Sequence, residues 1–498
     1  MINNYLERQI KEYFPYEPTS EQDLVLKALA KFLVSTSSDS LFLLRGFAGT
    51  GKTSLVAALV QALDALKQKC ILLAPTGRAA KLFALYAHHP AFTIHKKIYR
   101  QRSFDNSTDN FALADNLQKH TLFLVDEASM IANDGISGSL FGTGRLLDDL
   151  VHYVYSGEGC RLLLMGDAAQ LPPVGEELSP ALTADALRGY GLQVEEMELT
   201  QVVRQGAASG ILWNATRLRE RITTDNCWSL PKIRLSGFAD VRVVNGNELL
   251  EEIEACYNRD GADETMVICR SNKRANLYNI GIRNRILWRE EELESGDMLM
   301  VAKNNYYWTE LEAAANQEAR RQAAASGNAA AGALQGKESL PDFIANGELA
   351  VVRRVRRTRE LYGFRFADVA LAFPDYDDYT MEVTLLLDTL HSDAPALNRD
   401  EGERLFQTVL EDYADIPLKR DRMKKMKQDP HFNALQVKYA YAVTCHKAQG
   451  GQWRNVFLDQ GYLSEEYLTP DYFRWLYTAF TRATGTLYLV NYPKEQTE

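Results

Sequence analysis

The stretch LFLLRGFAGTGKTSLVAALVQAL (41–63) constrains this chain more than any other. Gly46, Gly51, Lys52 and Thr53 fit the pattern G-x-x-x-x-G-K-S/T, with a short apolar run before it and a long helical pattern after it. Glycines let the backbone wrap closely and aim its N–H groups at phosphate oxygens. The following helix N-terminus adds a favourable dipole. Gly46, Gly49, Thr50, Gly51, Lys52, Thr53 and Ser54 are therefore the expected triphosphate-binding set. Lys52 is expected on the β- and γ-phosphates of ATP, and the Thr53 hydroxyl on Mg²⁺.

Such a loop requires carboxylates at the end of another buried strand. LFLVDEAS supplies Asp126 and Glu127 after four apolar residues. Asp126 is expected to complete the Mg²⁺ shell and Glu127 to polarise the attacking water. The reaction class is nucleoside triphosphate hydrolysis. Short apolar runs at 41–44, 71–74, 122–125 and 161–165 alternate with helical patterns, and the style returns at 266–269, 439–444, 455–459 and 487–490. That alternation predicts an α/β fold of two lobes with buried parallel strands.

Composition narrows the class further. The chain has 498 residues, 46% hydrophobic and 24% charged, which excludes a wholly disordered or collagen-like chain. Its formal net charge of −10 argues against a uniformly basic surface but leaves room for a local basic groove. The six cysteines show no C-x-x-C pair, so free thiols in a reducing cytosol are the simplest reading. The N-terminus lacks the apolar segment of a signal peptide, no run is long enough to span a membrane, and a cytoplasmic location is expected.

The sequence resembles the superfamily-one DNA helicases of the RecD/Dda-like group. The stretches that carry the resemblance run in the family's order: Gln22 in TSEQDLVLKAL, GFAGTGKTS (46–54), LAPTGRAAK (73–81), FTIHKKIY (92–99), LVDEASM (124–130), LLMGDAAQLPPVG (163–175), LTQVVRQ (199–205), VTCHKAQGGQW (443–453) and YTAFTRAT (477–484). The matches are weakest in 210–260 and 305–435. The resemblance implies two RecA-like P-loop domains, a β-hairpin wedge in the first and an SH3-like β insertion in the second. The expected boundaries are 1–200 for the first RecA-like domain (wedge at 96–120), 201–360 and 436–498 for the second, and 361–435 for the inserted module. An Ala-rich stretch at 310–334 reads as a helix fraying into a solvent-exposed linker. The chain begins close to its Gln22 motif, which leads us to expect no N-terminal domain of the kind longer RecD-like members carry.

The resemblance also implies roles. Gln22 reads the adenine edge, Gln170 senses the γ-phosphate, and Arg204 and Arg482 act as arginine fingers. Pro75, Thr76, Arg78, Thr93, His95, Thr444, His446 and Lys447 contact single-stranded DNA. His95 and His446 also read as structural histidines, and Gln22 as a surface residue opening a helix. Phe104 and Phe111 are candidate wedge-tip residues, since an aromatic ring can stack on an exposed base, although a plain loop fits the same residues. Gln452 stands where many members carry an acidic residue that meets the nucleotide ribose. The implied partners are single-stranded DNA and duplex junctions, with ATP and Mg²⁺ as cofactors. The implied activity is ATP-dependent 5′-to-3′ translocation and unwinding. A DNA-stimulated translocase without unwinding and a nucleotide-switched scaffold remain open, as does DNA against RNA. His88 and His89 match nothing and read as loop residues.

Overall fold

The structure is a computed structural model and describes residues 2–101, 111–135, 142–203, 209–325, 343–376, 378–463 and 468–498. Phe104, Arg204 and the 326–334 part of the Ala-rich stretch lie outside the described residues; the part before them is the helix Tyr307–Ala325. The chain divides into two compact units, 1–268 with 448–498, and 269–447.

The first unit opens with β1 (Ser40–Gly46), β2 (Lys69–Ala74), β3 (Ala91–Thr93), β4 (Tyr99–Gln101), β5 (Phe111–Leu113), β6 (Thr121–Val125), β7 (Arg161–Gly166) and β8 (Gln193–Leu199). Six of these form a sheet in the order β3-β2-β6-β7-β1-β8, with parallel pairing throughout. A strand covered on both faces reads as an unbroken apolar run, and β1 shows why. Phe42 and Leu44 enter one core, with Leu26 of helix Ser20–Val34 and Leu55 and Leu59 of helix Lys52–Ala65. Leu41 and Leu43 enter the opposite core, with Leu147 and Leu150 of helix Leu146–Ser156. β4 and β5 form a separate antiparallel pair, with Gln101 opposite Phe111.

The second sheet of this unit begins with β9 (Val241–Val244) and β10 (Thr265–Cys269). The chain then builds the second unit: β11 (Met298–Val301), β12 (Leu349–Leu361), β13 (Phe364–Phe373), β14 (Tyr379–Leu386) and β15 (Leu435–Tyr439) close into a barrel, and the short β16 (Ala442–Thr444) follows. β17 (Trp453–Asp459) and β18 (Ala483–Val490) return to the second sheet, where β10, β17, β18 and β9 are neighbours in that order. β17, β18 and β9 pair in parallel.

The barrel takes in chain on both sides of the 361–435 segment read from the sequence as the inserted module. Its strand β12 contains the arginine-rich run at 352–359. Arg353 pairs with Asp378 at 3.1 Å, Arg354 and Arg356 with Glu382, and Arg359 with Asp368. Neighbouring strands thus neutralise much of the basic run. Ahead of the barrel, Asp297 is fully buried and accepts from Arg283 Nε at 2.9 Å, from the Arg289 guanidinium, and from the Tyr441 hydroxyl at 3.1 Å. All six cysteines are buried free thiols. Among the described residues no helix is long and apolar enough to cross a membrane.

Candidate functional site: a glycine loop gripped from two sheets

The loop after β1 turns sharply into helix Lys52–Ala65. Gly49 and Gly51 adopt φ of 78° and 85°, a left-handed conformation open to glycine at little cost. A Cβ on Gly51 would lie 2.6 Å from Gln22 Nε2, and one on Gly46 would lie 3.0 Å from both Lys52 Cγ and Thr50 Oγ1. The cradle therefore excludes side chains at both positions. The Lys52 ammonium donates to the Gly46 and Phe47 carbonyls, the latter at 3.0 Å. Thr53 and Ser54 follow in the first turn and are half-buried.

Gln22 is 2% exposed, and both ends of its amide are engaged. Its Oε1 accepts from Thr19 N at 3.0 Å, closing a capping box at the start of helix Ser20–Val34, and its Nε2 donates to the Thr50 carbonyl at 3.0 Å. The residue is thus tied to the glycine loop itself. Beside it, Glu21 accepts from the backbone N–H groups of Thr200 and Gln201 at 2.7 and 2.9 Å. The segment after β8 is held against the loop by Val203 N donating to the Gly49 carbonyl at 2.9 Å.

Asp126 and Glu127 stand at the end of β6. Glu127 takes a left-handed φ of 51°, and its N–H donates to Asp126 Oδ1 at 2.7 Å. Burial, together with the adjacent Glu127 charge, raises the Asp126 carboxyl above its ordinary range; the nearby Lys52 ammonium pulls the other way. Thr53, Asp126 and Glu127 carry oxygen donors of the kind that suit a hard divalent cation, and a cation beside Asp126 would relieve its unfavourable ionisation. Gln170 is 6% exposed, and its Oε1 is buried without a hydrogen-bond partner among the described residues. A buried acceptor of this kind is costly unless a donor reaches it.

Four side chains beyond the expected set complete the grip. Asp167, after β7, accepts from the Tyr477 hydroxyl at 2.6 Å, and that same hydroxyl accepts from Ala48 N at 3.0 Å. Thr478 Oγ1 accepts from Leu171 N at 2.9 Å. Helix Pro470–Phe480, which leads into β18, therefore touches both the glycine loop and the Asp167–Leu171 segment. Arg219 stacks on the Phe47 ring at 4.2 Å. Asp167 and Tyr477 lie inside motifs that carry the resemblance, and a carboxylate directly after an apolar strand was the signal that could have singled out Asp167. Arg482 is 3% exposed and donates to the Thr478 and Gly451 carbonyls and to Thr481 Oγ1.

The residues expected on nucleic acid divide between the units. In the first, Thr76 caps helix Gly77–Ala87 by accepting from Ala79 N at 3.2 Å, with Pro75 half-buried before it. Arg78 lies over the Trp453 ring at 4.2 Å and donates to the Gln452 carbonyl at 2.9 Å, while the Gln452 side chain is exposed. Thr93 caps the helix Ile94–Ile98 by accepting from Lys96 N at 3.2 Å. Burial pushes the His95 imidazole down to about 4, so it is neutral near pH 7. Phe111 is half-buried in β5, opposite Gln101 of β4, and packs against the core of the first sheet. In the second unit, Thr444 and Lys447 are half-buried and His446 is exposed. Burial lowers the Lys447 ammonium, and burial with the Lys447 charge lowers that of Lys438 to about 8.

Comparison with known proteins follows the same segments. The model of an AAA domain family matches residues 20–225, and that of the UvrD-like helicase C-terminal domain matches residues 439–490. An uncharacterised protein of Acanthamoeba polyphaga mimivirus is 20% identical over 536 residues, covering 94% of this chain and 98% of that protein. The ATP-dependent RecD2 DNA helicase of Deinococcus radiodurans is 30% identical over 184 residues, which is 37% of this chain and 22% of that protein's length. A structure of Pif1 helicase from Bacteroides in complex with ADP-AlF3 and ssDNA has 15% identity and a TM-score of 0.46, covering 97% of this chain and 94% of that one. The two domain matches fall on the glycine loop and on its second-sheet partners, so the chain is similar to an AAA domain in its first part and to the UvrD-like helicase C-terminal domain in its last.

Proposed function

We propose that this protein is an ATP-dependent DNA helicase that moves 5′-to-3′ on single-stranded DNA and unwinds duplex at a junction. One observation carries the reading: the glycine loop is held by Tyr477, whose hydroxyl also holds Asp167, so residues that meet ATP are tied to residues of the second sheet. In this reading Lys52 exchanges its carbonyl partners for β- and γ-phosphate oxygens. Thr53 and Asp126 would hold Mg²⁺, which would supply positive charge beside the phosphates. Glu127 orients and polarises the attacking water. The Gln170 amide, with its unsatisfied Oε1, accepts a hydrogen bond from that water or from a group that moves with it. Arg204 and Arg482 neutralise charge on the transferred phosphoryl group, and Arg482 must leave the Gly451 carbonyl to do so. Gln22 holds the loop through Thr50 and offers its remaining N–H to the base.

Hydroxyls, backbone amides and cations bind phosphates without reading sequence. Pro75, Thr76, Arg78, Thr93 and His95 serve this role in the first unit, and Thr444, His446 and Lys447 serve it in the second. A neutral His95 acts as a hydrogen-bonding group and not as a cation. The β4–β5 pair belongs to the wedge, and the barrel is the SH3-like insertion. Steady-state ATP hydrolysis, with and without single-stranded DNA or RNA, tests the reading. It predicts at least about tenfold stimulation by DNA, and loss of hydrolysis in Lys52→Ala with DNA binding retained. Hydrolysis indifferent to nucleic acid would favour a switch protein and overturn the assignment.

A further inference from the structure

Away from the nucleotide loop, three ligand-type side chains from three elements converge. Asp64 lies near the end of helix Lys52–Ala65, Cys70 is the second residue of β2, and His89 follows helix Gly77–Ala87. His88 ends that helix in a left-handed turn, φ 51°, which returns His89 towards the start of β2. Cys70 Sγ lies 3.8 Å from His89 Nε2, and His89 Nε2 lies 3.6 Å from Asp64 Oδ1. The three ligand atoms all fall within 4.8 Å of one another. A tetrahedral Zn²⁺ with bonds of about 2.0–2.3 Å sets neighbouring ligand atoms roughly 3.4–3.6 Å apart, so the Cys70–His89 and His89–Asp64 pairs are within a few tenths of an ångström of that spacing.

The surroundings also suit a metal. His89 Nδ1 lies 3.1 Å from the Pro90 carbonyl. That bond fixes the proton on Nδ1 and leaves the Nε2 lone pair aimed into the cluster, the arrangement typical of metal-binding histidines. Cys70 is 9% exposed and packs in the core beside Leu63, Phe83 and Ala87, whereas Asp64 faces solvent. The site is thus closed by apolar residues on one side and open to water on the other.

The geometry points to a mononuclear site for a borderline transition-metal cation of the Zn²⁺ class, with Asp64 Oδ1, Cys70 Sγ and His89 Nε2 as ligands and water in the fourth position. Binding replaces the Cys70 thiol proton, which leaves to solvent. The metal staples the far end of the helix that begins at Lys52 to β2 and to the turn after the next helix. Its role is structural, and it is separate from the Mg²⁺ position at Thr53 and Asp126.

Titration of the full metal-free chain with Co²⁺ tests this. The expected result is one equivalent bound with a thiolate-to-cobalt charge-transfer band, displaced by Zn²⁺, and a melting temperature raised by Zn²⁺. Cys70→Ser should abolish the band, and His89→Gln should weaken binding by at least about tenfold. Should Cys70→Ser fail to fold, His89→Gln and the solvent-facing Asp64→Asn carry the test through the same band. DNA-stimulated ATP hydrolysis should persist in His89→Gln, which separates this site from the helicase reading. Absence of a thiolate band in the wild type, or equal affinity in the wild type and His89→Gln, overturns the proposal.

Discussion

The Asp126 carboxyl sits where burial and the neighbouring Glu127 charge both oppose ionisation. A carboxyl raised in the folded state binds more protons there than in the unfolded chain. Its contribution therefore favours the fold at low pH and is lost as pH rises from about 4, the unfolded value, through the raised one. Asp126→Asn keeps an acceptor for the Glu127 N–H and removes the charge. In the absence of nucleotide its melting temperature should exceed the wild type's, by more at pH 7.5 than at pH 5, while ATP hydrolysis is lost. Thermal melts at the two pH values check this, and a pH-independent difference would contradict it. Tyr477→Phe keeps the ring packing but strips a donor from buried Asp167 and an acceptor from Ala48 N. It should cost about 1.5–3 kcal/mol in urea unfolding and slow ATP turnover. At this scale the glycine loop and Asp126–Glu127 were readable because backbone geometry and metal charge demand those residue types. The Tyr477 bridge was not, because a tyrosine in an apolar helix reads as core. Nor was the Asp64–Cys70–His89 cluster, whose members are far apart in pattern and meet only through the turn at His88.

Among the elements, the strands of the first sheet were legible because both faces are buried and apolar residues run unbroken, as in β1, β6 and β7. β8 was missed: its QVEEMEL sequence alternates charge with apolar residues at a sheet edge, where one neighbour, β1, pairs with it. In β12 ion pairs with Asp378, Glu382 and Asp368 hold the arginines, and no local pattern shows partners that distant in sequence. The junction before the barrel depends on a buried carboxylate. Asp297→Ala leaves Arg283 and Arg289 without their shared anion, and removal of one partner of a buried ion pair costs roughly 3–5 kcal/mol. Denaturant unfolding should show a loss of that size, and a change below about 1 kcal/mol would mean that water or other acceptors replace Asp297.

For the whole molecule, the α/β lobes and parallel sheets follow from alternation of apolar runs and helices, whereas the extent of the barrel does not, because its strands come from segments separated by helices and by the Ala-rich stretch. On the proposed reading, hydrolysis at Lys52 and Asp126 drives movement along DNA. Strand displacement from duplexes carrying a 5′ or a 3′ single-stranded tail, run on wild type and Lys52→Ala with MgATP, tests it most directly. Displacement by the wild type is expected from the 5′-tailed substrate only, and none by Lys52→Ala on either. Unwinding by Lys52→Ala at the wild-type rate, or failure of the wild type to displace either substrate, would contradict it.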